Sequence, residues 1–247
     1  MFGGNRVLFG SDENPARMLG DSWLYREGRW TRLETSTAPE PRAEAAAAYD
    51  PKAKRLILFG GYKLNDGAIE RLEDTWEFKN GKWKRLSASG PPRGNGAAMA
   101  FDPSKEAIVL FGGPTTQTDR GPGTGKTWIL RNDRWVALNT AAPPNIFNSA
   151  MATGLGPNGV VRFGGWTGDR RIDETWVLRD GGWMRIGGRG PSARNHSAMV
   201  FDAANERLVL FGGHDGEHIF GDLWTFDSRV WTLISDSFRP KRLDNGH

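Results

Sequence analysis

Ten of the eleven tryptophans fall into five pairs, Trp23 and Trp30, Trp76 and Trp83, Trp128 and Trp135, Trp176 and Trp183, Trp224 and Trp231, each pair seven positions apart. Upstream of every pair lies a short apolar run ending in Phe-Gly: RVLFGS, RLILFGG, AIVLFGG, VVRFGG and RLVLFGG, with phenylalanines at 9, 59, 111, 163 and 211. The period is about fifty residues, so the chain is an array of one supersecondary unit that buries its apolar surface against copies of itself.

Each unit reads as four strands. The first is built of small residues, as in AAAAYD, AAMAFD, SAMATG and SAMVFD; the second ends in Phe-Gly; the third and fourth carry the two tryptophans. Asn80-Gly81, Asn132-Asp133 and Asp180-Gly181 stand between the paired tryptophans as two-residue hairpin turns. Counting outward from Asn80-Gly81 sets Trp83 opposite Phe78 and Trp76 opposite Arg85 on one face, and the first unit repeats this with Trp30, Tyr25, Trp23 and Arg32. Leu33, Leu86, Leu138, Ile186 and Ile234 follow three positions after each second tryptophan and face the other way. Both faces are apolar, as they must be in a sheet packed between two neighbours. Arg32, Lys84, Arg85 and Arg185 fall on the outermost strand, where charge discourages edge-to-edge pairing. The run Ala45 to Ala48 has helix propensity, yet it occupies the slot of the innermost strand, where crowding about an axis calls for small side chains.

These features exclude several classes of function. GPGTGKTW, at 121 to 128, resembles a phosphate-binding loop, but Arg120 stands where that motif needs its first glycine, and a short apolar run closed by a turn follows where a helix is required. The segment is the Trp-strand slot of the third unit: Lys126-Thr127-Trp128 lies where Asp74-Thr75-Trp76 and Glu174-Thr175-Trp176 lie. With no cysteine there is no thiolate nucleophile, disulfide or Cys-ligated metal. No stretch is apolar enough to span a bilayer, and no signal peptide is legible, which leaves the compartment open. A net charge of +4 with no basic stripe interleaved with aromatics predicts no nucleic-acid partner.

The Phe-Gly-Gly strand ends, the carboxylate before each first tryptophan, the spaced second tryptophan and the Pro-x-x-Arg that opens the next unit resemble the Kelch repeat over essentially the whole chain. The resemblance implies an all-β β-propeller of four-stranded blades, and the five repeats make it five-bladed, in a single domain spanning 1 to 247. The blades are expected near 1–36 with 237–247, 37–88, 89–140, 141–188 and 189–236. Joining RLDNGH onto Met1-Phe2 places Phe2 seven positions after Arg242, so both termini are expected to share the innermost strand of blade one and close the ring; a stretch of a longer array is the alternative.

The resemblance also places ligands at the end of the axis lined by the loops between blades and between second and third strands. Arg42, Arg93, Arg194 and Arg242 enter the inner strands there, with Ile146 in the fourth slot; Glu44, Asn95, His196 and Asp244 follow two positions later, with Asn148 in the fourth blade. The arginines either form a cationic mouth for carboxylates or bond loop carbonyls and stack on the tryptophans. Tyr62, Pro114, Trp166 and His214 break the repeat after Phe-Gly-Gly, and the loops YKLNDGAIERLE and PTTQTDRGPGTG overhang the same face. Asp21, Asp74, Glu174 and Asp222 are expected to accept bonds from nearby glycine N–H groups rather than to act as acid–base pairs.

No catalytic residue, metal or cofactor is expected. The Kelch copper oxidases need a tyrosine linked to cysteine, and the iron-dependent specifier proteins need Glu-x-x-x-Asp-x-x-x-His; the sequence has neither. The expectation is a monomeric, non-catalytic module presenting loops and an axial pocket to a protein or glycan, with Arg42, Glu44, Tyr62, Arg93, Trp166, Arg194, His196, His214, Arg242 and Asp244 among the ligand-binding residues. The alternative is a carbohydrate-active enzyme using Glu44, His196 or Asp244.

Overall fold

The computed structural model describes residues 1–5, 18–65, 68–86, 89–113, 125–140, 143–154 and 159–237. Every regular element among them is a strand, and the sheets are arranged as a five-bladed β-propeller. Four blades are four-stranded antiparallel meanders. Blade two is Ala46–Asp50, Arg55–Phe59, Thr75–Lys79 and Lys82–Leu86; blade three is Ala98–Asp102, Ala107–Phe111, Thr127–Arg131 and Arg134–Leu138. Blade four is Ala150–Thr153, Val160–Phe163, Thr175–Arg179 and Gly182–Ile186; blade five is Ala198–Asp202, Arg207–Phe211, Leu223–Phe226 and Trp231–Ser235.

The hairpin registers follow from local rules. Asn80 and Gly81 take φ of 50° and 77°, the left-handed pair a tight hairpin needs, and Trp83 then pairs with Phe78 and Trp76 with Arg85. In blade one Trp30 pairs with Tyr25 and Trp23 with Arg32. The alanine runs are inner strands, with Ala46, Ala48, Ala98, Ala100, Ala150 and Ala152 all buried between blades.

Blade one departs from expectation. Among the described residues it holds three strands, Phe2–Asn5, Met18–Arg26 and Arg29–Leu33, in that order. Phe2 pairs with Ser22 as Phe59 pairs with Thr75, so Phe2-Gly3-Gly4 is the Phe-Gly-Gly of the second strand and not part of the innermost one. Gly4 N–H donates to Arg42 O as Gly61 N–H donates to Gly94 O, and a Cβ on Gly3, at φ 66°, would lie 2.7 Å from Arg42 O. The expected second strand, RVLFGS, and the expected closing segment 242–247, with Arg242 and Asp244, lie outside the described residues. The stretch YKLNDGAIERLE, expected as a loop, carries a ribbon in which Tyr62–Asn65 pairs with Ala68–Arg71.

Packing between blades repeats one contact four times. Trp83, Trp135, Trp183 and Trp231 set their rings edge-on to Phe2, Phe59, Phe111 and Phe163 of the preceding blade, at 5.1, 5.7, 5.2 and 5.2 Å between centroids. Their indole N–H groups donate to Ser22, Thr75, Thr127 and Thr175 of that blade at 2.8–2.9 Å. The ring buries, the hydroxyl satisfies the one polar atom that goes with it, and the seam is complete. These four tryptophans are 5–9% exposed; Trp30 is 53% exposed, and the slot of those hydroxyls in blade five holds Leu223.

Candidate functional site

Backbone hydrogen bonds lace the inner ends of the blades into a partial collar: Gly96 N–H to Glu44 O at 3.1 Å, Asn148 N–H to Gly96 O at 2.7 Å, and His196 N–H to Asn148 O at 2.9 Å. All four residues sit at positive φ, Glu44 at 51°, Gly96 at 65°, Asn148 at 51° and His196 at 57°. This register corrects two expectations. Ala98 pairs with Phe111 as Ala46 pairs with Phe59, so the counterpart of Arg42 in blade three is Gly94 and the collar member is Gly96. Arg93 falls one residue early and lies outside, its side chain 60% exposed and 3.7 Å from Glu73. Asn95 stands one position before the collar, level with Asn195.

The two inner-strand arginines of regular register are buried. Arg42 donates to both carboxylate oxygens of Asp74, at 2.5 and 2.9 Å, and to Gly60 O and Glu40 O. Arg194 repeats this with Asp222 at 2.5 Å, Gly212 O and Ser192 O, its guanidinium 3.9 Å over the Phe220 ring. With 1% and 2% exposure, neither presents nitrogens to the axial mouth. The carboxylates bond the indole two residues on: Asp21 to Trp23, Asp74 to Trp76, Glu174 to Trp176 and Asp222 to Trp224, at 2.6–2.9 Å. The glycine N–H groups expected on these side chains bond the main-chain oxygens instead, Gly60 to Asp74, Gly164 to Glu174 and Gly212 to Asp222. Burial works against the Asp74 charge, but Arg42 and the Trp76 N–H outweigh it and hold the carboxyl below its ordinary range.

Blade three has Lys126 in place of that carboxylate and no arginine in the buried slot, so the pair is absent as a unit. Blade four keeps Glu174 but has buried Ile146 in the arginine slot. There Arg162 rises from the second strand, fully buried, and donates to Gly164 O at 3.3 Å, the carbonyl equivalent to Gly60 O and Gly212 O. Among the described residues its Nε and Nη2 have no partner, and burial pulls its pKa down against the attraction of Glu174.

The side chains that do reach the mouth form one connected network. His196 Nδ1 and His214 Nε2 are 3.0 Å apart, with the rings stacked at 5.1 Å and 15°. On its other side His196 Nε2 lies 3.8 Å from Glu44 Oε1, and Glu44 Oε2 accepts from Asn95 Nδ2 at 2.7 Å. Asn95 Oδ1 accepts from Arg71 Nε at 2.8 Å, and Asn195 Oδ1 from Arg171 Nε at 3.0 Å. Arg171 stacks 4.9 Å over half-buried Trp166, and a Cβ on Gly216 would lie 2.6 Å from its Nη1.

Tyr62, Trp166 and His214 occupy the same place in their blades, each bridging the start of an inner strand at Ala43, Phe147 and Asn195. Burial, and then the Glu44 charge, push the Tyr62 hydroxyl up. Of the residues singled out in the sequence, Glu44, Tyr62, Asn95, Trp166, His196 and His214 therefore line the mouth. Arg71 and Arg171 were missed. Their signal was the recurrence of Arg three residues before the tryptophan-strand carboxylate in ERLED and RRIDE, hidden because the loops before them differ in length. Pro114 lies outside the described residues. Among the described residues, no three His, Asp or Glu side chains converge as a metal site, and no helix is long and apolar enough to cross a membrane.

The model of the KLHDC2/KLHL20/DRC7 Kelch-repeats domain matches residues 74–239, more than half of the chain. No curated protein matches the sequence. The repeated Trp–Thr seams, the Phe-Gly-Gly turns and this match agree, and the chain belongs to the Kelch-repeat family as a five-bladed β-propeller.

Proposed function

We propose that the chain is a non-catalytic binding module that takes a protein or glycan partner on the loops around the axial mouth. The Kelch propeller is typically a protein-interaction module. One observation carries the reading to this end of the axis: Arg71 and Arg171 are each anchored through Nε to an asparagine of the next blade, and Arg171 is flattened on Trp166. A planar cation and an aromatic held in place without the partner bind at reduced entropic cost, and Trp and Arg are the residues that dominate such contacts.

The test is a peptide and glycan array, followed by affinity measurement on Trp166→Ala and Arg171→Gln. The expected result is a hit whose affinity falls at least ~30-fold in either variant, the size of a hot-spot loss, with melting within a few degrees of the parent. Hits unaffected by both substitutions would remove the mouth as the binding surface.

The proximity of Glu44 and His196 supports a second reading, a carbohydrate-active enzyme in which these groups, or Asp244, move protons. Turnover of a glycan hit, abolished by Glu44→Gln, would establish it; binding without turnover leaves the first reading.

A further inference from the structure

The contact between His196 and His214 is defined by how many protons it holds. At 3.0 Å, Nδ1 of one ring and Nε2 of the other share a single hydrogen, one nitrogen donating and the other accepting. The neutral pair satisfies this. So does the pair with one added proton: His196 then carries hydrogen on both nitrogens, Nδ1–H donates to His214, and Nε2–H faces the Glu44 carboxylate at 3.8 Å. A second proton leaves no acceptor. Two N–H groups then point at each other across the contact, and two like charges sit on rings stacked at 5.1 Å.

Charged groups stand on both sides of the pair. Glu44, held ionised by His196 and Asn95, faces His196, whereas His214 faces Arg171 from the loop of blade four. Arg71 reaches Glu44 through Asn95. Asp215, next to His214, accepts N–H bonds from Glu217 and His218, and its carboxylate also meets His218 Nδ1 at 3.3 Å. It stays charged and pulls His214 up, against the larger opposing effects of burial, His196 and Arg171. Tyr62 is the other titratable group beside Glu44 and keeps its proton throughout. Burial first, and then His196 and Arg171, hold His214 below its ordinary value against the pull of Asp215.

We propose that His196 and His214 form a two-step proton switch on the axial mouth: with no more than one shared added proton the loop of blade five is latched to the collar, and with two the latch breaks and the mouth opens. The latch acts on a short segment. His214 exchanges backbone hydrogen bonds with Asn195 at 3.0 and 3.1 Å and bridges Ile219 across a turn, so expelling its ring loosens the loop that seats Arg171 against Gly216. This regulation rests on the mouth being the binding surface, but its physical signature needs no partner.

The experiment is a titration of the imidazole carbon-bound protons by NMR from pH 8 to 4.5, with backbone amide exchange across 213–221 measured in parallel and corrected for its intrinsic pH dependence. The expected result is two macroscopic steps of the pair about one pH unit apart or more, with faster exchange in 213–221 following the lower step alone. His196→Asn, a residue the collar already holds at Asn148, should return His214 toward about 6.5 and remove the pH dependence of exchange. His214→Gln should remove the two-step behaviour of the contact. Simultaneous titration of both rings, or exchange in 213–221 that ignores the lower step, would overturn the switch. Partner affinity that is constant from pH 7 to 5 would overturn it too, whereas finding no partner on the arrays would count against the binding module alone.

Discussion

Arg42 grips Asp74 through both terminal nitrogens, at 2.5 and 2.9 Å, in a position that leaves the arginine side chain no solvent exposure. The same Asp74 carboxylate accepts the Trp76 indole N–H, so one buried ion pair ties the start of an inner strand to the third strand of its own blade. Removing one partner strands the other charge in a dry environment. Arg42→Met or Arg194→Met should each lower stability by about 3–5 kcal/mol, read as a drop in the urea midpoint at unchanged slope. Partner binding at temperatures well below melting should be unchanged, because neither guanidinium reaches the mouth.

The seams make a graded prediction about tryptophan. Trp83, Trp135, Trp183 and Trp231 are buried against the preceding blade with their N–H groups satisfied, and alanine at any of them should cost about 3–5 kcal/mol. Among the described residues the ring contact of Trp30 is with Tyr25 across the hairpin, at 5.0 Å, and the indole stands more than half exposed. Its replacement should cost less than about 1.5 kcal/mol. Fluorescence provides the control: an exposed indole is quenched by iodide, and Trp30→Phe should remove most of the quenchable signal.

Arg162 occupies a slot that Leu58, Leu110 and Leu210 fill in the other complete blades, and it stacks 5.2 Å over Phe111 with two nitrogens unmatched among the described residues. Burying a charge without a bonded carboxylate is costly, while leucine restores the packing of the neighbouring seams. Arg162→Leu should leave stability equal or raise it by about 1–2 kcal/mol, in contrast to the loss at Arg42. A loss as large as that at Arg42 would mean that the Gly164 carbonyl depends on this guanidinium.

Acid should loosen the mouth before the blades. His214 is held below the ordinary histidine value of 6.5, by burial first and then by His196 and Arg171. The unfolded chain thus binds a proton that the folded chain refuses, and stability declines as pH falls through and below this value. Burial alone would raise Glu44, but the facing His196 and the hydrogen bond from Asn95 outweigh it and bring the group below 4.5. Its contribution is full above that value and is lost as pH falls through the folded-state pKa. Urea midpoints measured from pH 8 to 4 should be level above about 7 and fall below it. His214→Gln should flatten the upper part of the decline, and Glu44→Gln the lower.

Gly61 should not tolerate a side chain. It sits at φ 92°, and a Cβ there would lie 2.6 Å from Ala43 O and 3.0 Å from Ala45 N, both backbone atoms that cannot give way. Gly61→Ala should destabilise by at least about 2 kcal/mol through strain and overpacking, whereas Gly81→Ala, in an open turn, pays only for its φ of 77°. Thermal melts of the two variants side by side separate the contributions.

Much of the architecture was legible because it is written in local spacing. The two-residue turn at Asn80-Gly81, the side-chain period of two and the recurring tryptophans determine that Trp83 lies opposite Phe78 and that each blade has two apolar faces. Those relations span a few residues and need no knowledge of the rest of the chain. The tertiary structure decided what distance in sequence conceals. Phe2 took the second-strand slot that Phe9 matched by spacing, because loops of different length separate strands that the backbone nonetheless pairs in one register. One inserted residue moved Arg93 out of the buried slot, and the indole N–H captured carboxylates whose nearest candidates by count were glycine amides. The mouth assembled Arg71, Glu44, Asn95, His196, His214 and Arg171 from four blades. Side-chain hydrogen bonds reach only about 3 Å, so which groups share one is settled by how the blades approach each other, and no spacing within a single repeat encodes that approach.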